Sequence, residues 1–515
     1  MADIPGQSLP PRMWERGSRL MSMFKRILLT LLTLLLLLAV AVVANTLRQG
    51  SRQLAVPPAP PLAVNERGVA ESLAASLRFK TVSSYEDPRL NADQFLGLHT
   101  LLQQRFPKAH AALKRELVGE LSLLYTWPGA DAKARPILLM AHQDVVPISP
   151  GTESTWQAPP FAGEIRNGFV WGRGAWDDKS QLIAQMEAVE MLLASGFQPR
   201  NTIYFSFGAD EEVGGLRGAL EIAKLLQARG VKLSFVIDEG LVITEGILPG
   251  LARPAALVGI AEKGYLSVAL KVPAPAGHSS MPPGKGESAI ALMSAALRRL
   301  DDQQFPASIS GVAREMFETV APEMAGFSRY ALTNLWLFGP LVQAQLEKGA
   351  STNAMLRTTT ALTVFNAGNK DNVIPGQADA TVNFRLLPGD TSEDVMRHVK
   401  ATVGSGRFDI TAMPYSSEPS PVTPTGSDSY QLISRTIRSV FADTIVAPGL
   451  MIGATDSRHF TAISDHIYRF SPVRARAEDL PRFHGTDERI STGNLAELVR
   501  FYHQLLRNAA SAPSP

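Results

Sequence analysis

Pro136-Ile137-Leu138-Leu139-Met140-Ala141-His142-Gln143-Asp144-Val145-Val146-Pro147 is the stretch from which the rest of the chain is read. Five apolar residues follow a proline without alternating with polar ones, which is the pattern of a strand covered on both faces. The run stops abruptly at two residues able to serve a metal site. Open α/β sheets place their chemistry at the carboxyl ends of such strands. In an extended segment His142 and Asp144 point to one side, so a carboxylate can hold a metal-binding imidazole from two residues away. A surface pair has the same spelling, and residues further along the chain decide between the two.

Outward from this stretch, strands and helices alternate. Strands are expected at 121–125, 137–141, 202–207 and 233–237, and helices at 180–193 and 216–229, after helical periodicity at 69–79 and 95–105. That order predicts an α/β catalytic domain with a mainly parallel central sheet flanked by helices. A second unit interrupts it, with strands at 265–272, 358–364, 380–386 and 408–412 and helices at 287–300 and 392–403. Strand, helix, two strands, helix, strand is the order of a ferredoxin-like βαββαβ module, expected here as a lid. Residues 301–350 form a long insertion of mixed helical character that the pattern leaves unplaced. The boundaries drawn are 66–264 and 414–508 for the catalytic domain and 265–413 for the lid. Helices are expected near 430–441 and 495–506, and a disordered tail at 509–515.

The chain's 515 residues, 45% of them hydrophobic and 19% charged, have an ordinary globular composition with room for more than one domain. A net charge of +2, with no basic stripe among aromatics, argues against nucleic acid as a partner. The absence of cysteine excludes disulfides, thiolate ligands and a cysteine nucleophile, so any metal must be held by His, Asp and Glu. Near the N-terminus a basic segment over 1–26, with Arg12, Arg16, Arg19, Lys25 and Arg26, precedes an uncharged apolar run at 27–44. That run is long enough for a membrane anchor with its N-terminus in the cytoplasm, and the competing reading is a signal peptide cut after Ala44. Residues 45–65 follow as a linker, in which Val56-Pro57-Pro58-Ala59-Pro60-Pro61 is expected to act as a stiff spacer off the membrane surface.

Four further acidic or histidine clusters lie at expected strand ends or loops. They are Gly172-Arg173-Gly174-Ala175-Trp176-Asp177-Asp178-Lys179-Ser180, Gly208-Ala209-Asp210-Glu211-Glu212-Val213-Gly214-Gly215, Val236-Ile237-Asp238-Glu239-Gly240 and Arg482-Phe483-His484-Gly485-Thr486-Asp487-Glu488. Each has an ordinary reading, as a helix cap or a solvated turn. Three carboxylates in a row nevertheless repel one another unless a cation neutralises them. Taken together, histidines and carboxylates without thiolate make a donor set suited to zinc.

The ordered series H-x-D, G-x-G-A-x-D-D-K, D-E-E-x-G-G, D-E-G, G-H-S-S-x-P, N-x-I-P and H-G-T-D-E-R resembles the co-catalytic zinc hydrolases that include aminoacylase-1, carboxypeptidase S and glutamate carboxypeptidase. The resemblance runs from about residue 66 to 506. It leans toward the carboxypeptidase S branch and the secreted N-fatty-acyl-amino-acid hydrolases. It implies two zinc ions per chain, held by His142, Asp177, Glu212, Asp238 and His484, with Asp177 bridging. At the Asp238 position some members align the neighbouring Glu239. It also implies Glu211 as general base, Asp144 orienting His142, and His278 as oxyanion donor from the lid. Asn372, Arg385 and Arg458 are implied as substrate-binding residues, the arginines suited to a free α-carboxylate.

The resulting expectation is a membrane-tethered, extracytoplasmic dizinc hydrolase of peptides or N-acyl amino acids, with a possible homodimer through the lid. It would cleave an amide beside a free α-carboxylate by metal-activated water, and the same site run backwards would condense fatty acids with amino acids. A non-catalytic binding protein on the same scaffold is the alternative, against which the intact Glu211 and metal positions argue.

Overall fold

The computed structural model describes residues 12–404 and 406–511, with side chains from 21 to 510. Among these residues eight strands form one sheet in the order Lys114–Val118, Ser122–Trp127, Ile203–Gly208, Ile137–His142, Phe235–Thr244, Ile467–Ala475, Ala255–Glu262, Ile445–Met451. The four strands from Ile203–Gly208 to Ile467–Ala475 run parallel. Ile137–His142 lies in the middle of them, and every one of its residues is buried. Helices Lys179–Ala194 and Thr492–Ser511 cover one face with the larger core, and Ala219–Ala228 covers the other. The predicted α/β architecture with its largely parallel sheet is thus the one observed.

Four strands of this sheet escape the sequence pattern, among them Lys114–Val118 at one edge, three of whose five residues are charged. Ile445–Met451 contains Pro448, which a strand accommodates at an edge, and it lies at the opposite edge of the sheet. Ile467–Ala475 carries Arg469 into the sheet interior, where its Nε donates to Glu262 at 3.0 Å with both side chains almost fully buried. Ala255–Glu262 supplies that partner and joins these two strands.

Four other strands form a second sheet in the order Thr359–Ala367, Gln377–Leu386, Gly264–Pro273, Asp409–Ala412, each neighbour antiparallel. Alternate residues of Gln377–Leu386 are buried against helices Ala289–Asp302 and Ser392–Val403 in a core of their own. This is the βαββαβ arrangement with its two central strands in the middle.

The insertion and the proline-rich linker differ most from expectation. Residues 301–350 build helices Gly311–Val320, Gly326–Thr333 and Leu335–Leu346, the first packed on the edge strand Ile445–Met451. The proline-rich segment is not a free spacer. Gln53 exchanges two hydrogen bonds with the Val446 backbone, 2.9 and 2.7 Å, and Ala59 N donates to Ser439 O at 2.8 Å. Proline-rich chain is extended, and here its carbonyls also accept from Arg438 and Arg500 along the body. The expected tail is helical as far as Ser511, because Ala509 packs into the core; 512–515 lie outside the described residues, as do 1–11 of the basic segment.

Candidate metal centre

The parallel strands deliver their carboxyl ends to one edge of the sheet, and the motifs meet there. His142 ends its strand, Glu211 and Glu212 follow Ile203–Gly208 in a short turn, and Glu239 lies within Phe235–Thr244. Asp177 precedes helix Lys179–Ala194, and His484 arrives on a loop before the last helix. Among the described residues two groups place their donor atoms within 4.8 Å of one another: His142, Asp177 and Glu239, and Asp177, Glu212 and His484. Asp177 belongs to both. One carboxylate oxygen lies 2.8 Å from His142 Nε2 and the other 2.7 Å from His484 Nε2.

Of the adjacent pair Asp238 and Glu239, the structure brings Glu239 into the cluster and not the expected Asp238. Asp238 turns away from the cluster, accepting from Ser457 N at 2.8 Å and from Glu239 N at 2.9 Å, while Glu239 approaches His142 Nε2 at 3.5 Å. Consecutive strand residues face opposite ways, so only one of the pair can look inward. Which one does is set by a bulge: Arg469 pairs with Asp238 but Phe470 pairs with Leu241. Gly240 makes the bulge possible, with φ 149 and space for a Cβ only 2.6 Å from Arg469 Cβ.

Asp144 also differs in detail from expectation. His142 Nδ1 lies 3.0 Å from the Asp144 carbonyl oxygen and 3.5 Å from its carboxylate, so the backbone contact is the closer one. The carboxylate accepts from Ser83 Oγ at 2.7 Å and from the backbone N–H groups of Glu211 and Glu212 at 3.2 and 3.0 Å. Asp144 therefore fixes the turn that presents both glutamates.

Largely buried carboxylates and imidazoles crowd together at this edge and shift one another. Burial, then the Glu239 carboxylate, pushes the Glu211 carboxyl well above its usual range. Burial and Asp177 do the same to Glu239, and to a smaller degree to Glu212. Burial alone would lower the histidines, but Glu239, Asp144 and Asp177 hold His142 well above its ordinary value. Asp177 and Glu212 raise His484 to about 10. The two histidines in turn hold Asp177 low against its burial. Crowded carboxylates with imidazoles between them, and no thiolate, match the donor preferences of zinc.

A brace behind Asp177 has no counterpart among the expected site residues. Glu488 accepts backbone N–H bonds from Gly174, Trp176 and Asp177 at 2.8 to 3.1 Å and pairs with Arg173 at 2.6 Å. Arg173 Nη2 also donates to the carbonyls of His484 and Gly485 at 3.1 and 3.0 Å. It thereby supports His484, whose φ of 56 lies in the left-handed region. The signal was present in the late H-G-T-D-E-R motif, but a buried carboxylate's partners cannot be read from spacing. Removing Glu488 leaves Arg173 buried and unpaired, and E488A is expected to lose about 3–5 kcal/mol of stability. Denaturant unfolding compared with the R173M/E488L double variant checks this: the double variant should recover only the part due to the unpaired arginine, because the N–H groups of Gly174, Trp176 and Asp177 stay without their acceptor.

A cleft of about 970 Å³ opens from the centre toward the second sheet. Asp177, Glu211, Glu212, Glu239 and His484 lie on its floor, with Arg385 and Arg458 among the other lining residues. The Arg385 guanidinium stacks on Tyr265 at 4.8 Å, and Arg458 Nη2 donates to Gly214 O at 2.8 Å. His278 and Asn372 are elsewhere. Gly277–His278 pairs with Val373–Ile374 as an exposed ribbon, and Asn372 O accepts from Ser279 N at 3.1 Å.

Residues 138–508 match the family described as Peptidase family M20/M25/M40. The chain is 40% identical over 477 residues to a probable carboxypeptidase S-like 2 of Dictyostelium discoideum, covering 91% of each. It is 42% identical over 453 residues to the N-fatty-acyl-amino acid synthase/hydrolase PM20D1 of Xenopus tropicalis, covering 87% of each. In fold it is similar to the M20 family metallo-carboxypeptidase Sso-CP2 from Sulfolobus solfataricus, with a TM-score of 0.64 and 17% identity over 87% of this chain and 100% of that one. Human carnosine dipeptidase 1 gives a TM-score of 0.62 and 16% identity over 88% and 100%.

Proposed function

Because this chain belongs to the M20/M25/M40 peptidases, we propose that the strand-end cluster is a dinuclear zinc centre hydrolysing amides of substrates with a free α-carboxylate. One observation carries the reading: Asp177 offers one oxygen to each of two ligand groups. His142, Asp177 and Glu239 would hold one ion, and Asp177, Glu212 and His484 the other. Bound there, the ions would polarise the scissile carbonyl and acidify the attacking water.

The protein's own groups do the rest. Glu211 belongs to neither ligand group and lines the cleft beside them, which leaves its carboxylate free to take the water's proton. It hands that proton to the amide nitrogen as the C–N bond breaks, releasing a carboxylate and an amine. Arg385 and Arg458 supply the positive wall for the α-carboxylate. Leu216, Leu220, Met413, Tyr415 and Met451 line the same cleft, which favours a long apolar acyl chain over a polar dipeptide. Since a catalyst serves both directions, condensation of a fatty acid with an amino acid is the reverse activity of this site. His278 would reach the oxyanion only by closure of the second unit or from a second copy of the chain.

A panel of N-acyl amino acids and dipeptides, assayed with and without a chelator, tests the reading. Hydrolysis should vanish with chelator and return with zinc; activity that survives complete metal removal would end the proposal. R385A and R458A test the carboxylate contact. Each is expected to weaken kcat/KM about 10- to 100-fold for free acids, as loss of a charged hydrogen bond does, and to spare the corresponding carboxamides. Equal losses on both would assign the arginines a structural role.

A further inference from the structure

Helix Arg12–Arg48 is, among the described residues, the one long and apolar enough to cross a membrane. It does not end as a free stalk. Asn45 Nδ2 donates to the Thr333 carbonyl and to Asn334 Oδ1 at 2.8 and 3.0 Å. Asn334 Nδ2 donates to Thr46 Oγ1 at 2.9 Å and to the Val42 carbonyl at 3.3 Å, and Gln49 Nε2 donates to the Thr333 carbonyl at 2.8 Å. Thr46, Thr333 and Asn334 are buried in this clasp. Interhelical bonds of this kind join helices where the surroundings are apolar.

The elements gripped by the clasp are themselves unsuited to water. From 326 to 346 the insertion contains one charged residue, Arg329, whose Nε is buried, and from 330 to 346 none. Its helix Leu335–Leu346 buries no residue in the protein, and Trp336 and Leu341 are 61% and 58% exposed, with Phe327 63% exposed on the preceding helix. The rings of Phe327 and Phe338 meet edge to face at 5.6 Å, so the two helices form one unit. The clasp lies where the apolar run of the N-terminal helix gives out, the level of the membrane–water interface, and tryptophan is a residue of that interface.

We propose that Gly326–Thr333 and Leu335–Leu346 form a second membrane element, a largely apolar hairpin with Arg329 as its one charge, that lies in the extracytoplasmic leaflet against the N-terminal helix. The occupant of this surface is lipid, because the hairpin is continuous with the exposed apolar surface of that helix, whose exposed leucines extend to Leu47. Two attachments and a linker laid along the body hold the hydrolase in one pose on the bilayer. A hydrolase so held meets amphiphilic acyl substrates where they partition. The proposal rests on the reading of the N-terminal helix as a retained anchor.

The absence of cysteine permits single-site spin labelling of the full chain in lipid nanodiscs through L341C, W336C, L35C and K370C, one at a time. Accessibility to oxygen against a water-soluble nickel chelate is the readout. Labels at Leu341 and Leu35 should favour oxygen, that at Trp336 should lie between, and that at Lys370 should favour the chelate. Hydrolysis of a short-chain soluble substrate should be unchanged in all four, which excludes misfolding. A lipid-facing label at Leu35 with a water-facing one at Leu341 would overturn the hairpin and leave the anchor standing. Water-facing labels at both would overturn both. Spin–spin broadening at Leu341 that disappears on dilution with unlabelled chain would assign the surface to a second copy and overturn the proposal.

Discussion

E211Q is expected to bind as much metal as the parent chain and to lose turnover by about 10²–10⁴, the range for a displaced general base. The glutamate takes part in neither ligand group, so its amide replacement leaves the donor set whole. Its place in the cleft is held from the backbone, through the N–H bond to Asp144, which the substitution does not touch. The side chain sits in an acidic surrounding where burial and Glu239 favour the protonated form, and bound dications would draw it back toward the carboxylate. An amide cannot take the proton in any state. Metal analysis of the purified variant beside kcat and KM separates the outcomes: full metal, near-normal KM and collapsed kcat are expected. Substantial turnover would remove Glu211 from the role of base.

The second large effect is expected at Asp177. D177A deletes the one carboxylate common to both groups, so metal content should fall toward zero and activity should disappear with it. The loss should exceed the roughly 10–100-fold that accompanies removal of a partner standing behind a ligand. The fold should survive, because the backbone N–H of residue 177 still donates to Glu488 and the Arg173 pair is untouched. E212Q offers the contrast, since it strips a donor from one group only and should leave one metal equivalent. Two equivalents retained in D177A would show that the ions do not share this side chain.

Elements whose apolar pattern is local were readable from spacing alone. Ile137–His142 has no alternation because helices cover both faces of its sheet, and Gln377–Leu386 alternates because only one face is covered. Edge strand Ile445–Met451 hid behind Pro448, and Ile467–Ala475 behind Arg469, whose charge is tolerable only beside Glu262. The site was legible as a set of motifs because each stands where an apolar run ends. Its inner partners were not. Arg173 and Glu488 lie in recognisable motifs, yet a pairing across such a separation leaves no periodic trace.

The order of the apolar runs and the histidines and carboxylates that end them determined an α/β fold with a largely parallel sheet, a thiolate-free set of candidate metal donors and an apolar N-terminal helix. Only the tertiary structure decided that Glu239 rather than Asp238 faces His142, since a bulge against a strand over two hundred residues away sets which of two neighbours points inward. It alone decided that the proline-rich segment lies on the body and that the insertion grips the end of the N-terminal helix. Those outcomes depend on which surfaces the folded chain brings together, and a one-dimensional pattern records what each segment can bury but not against what.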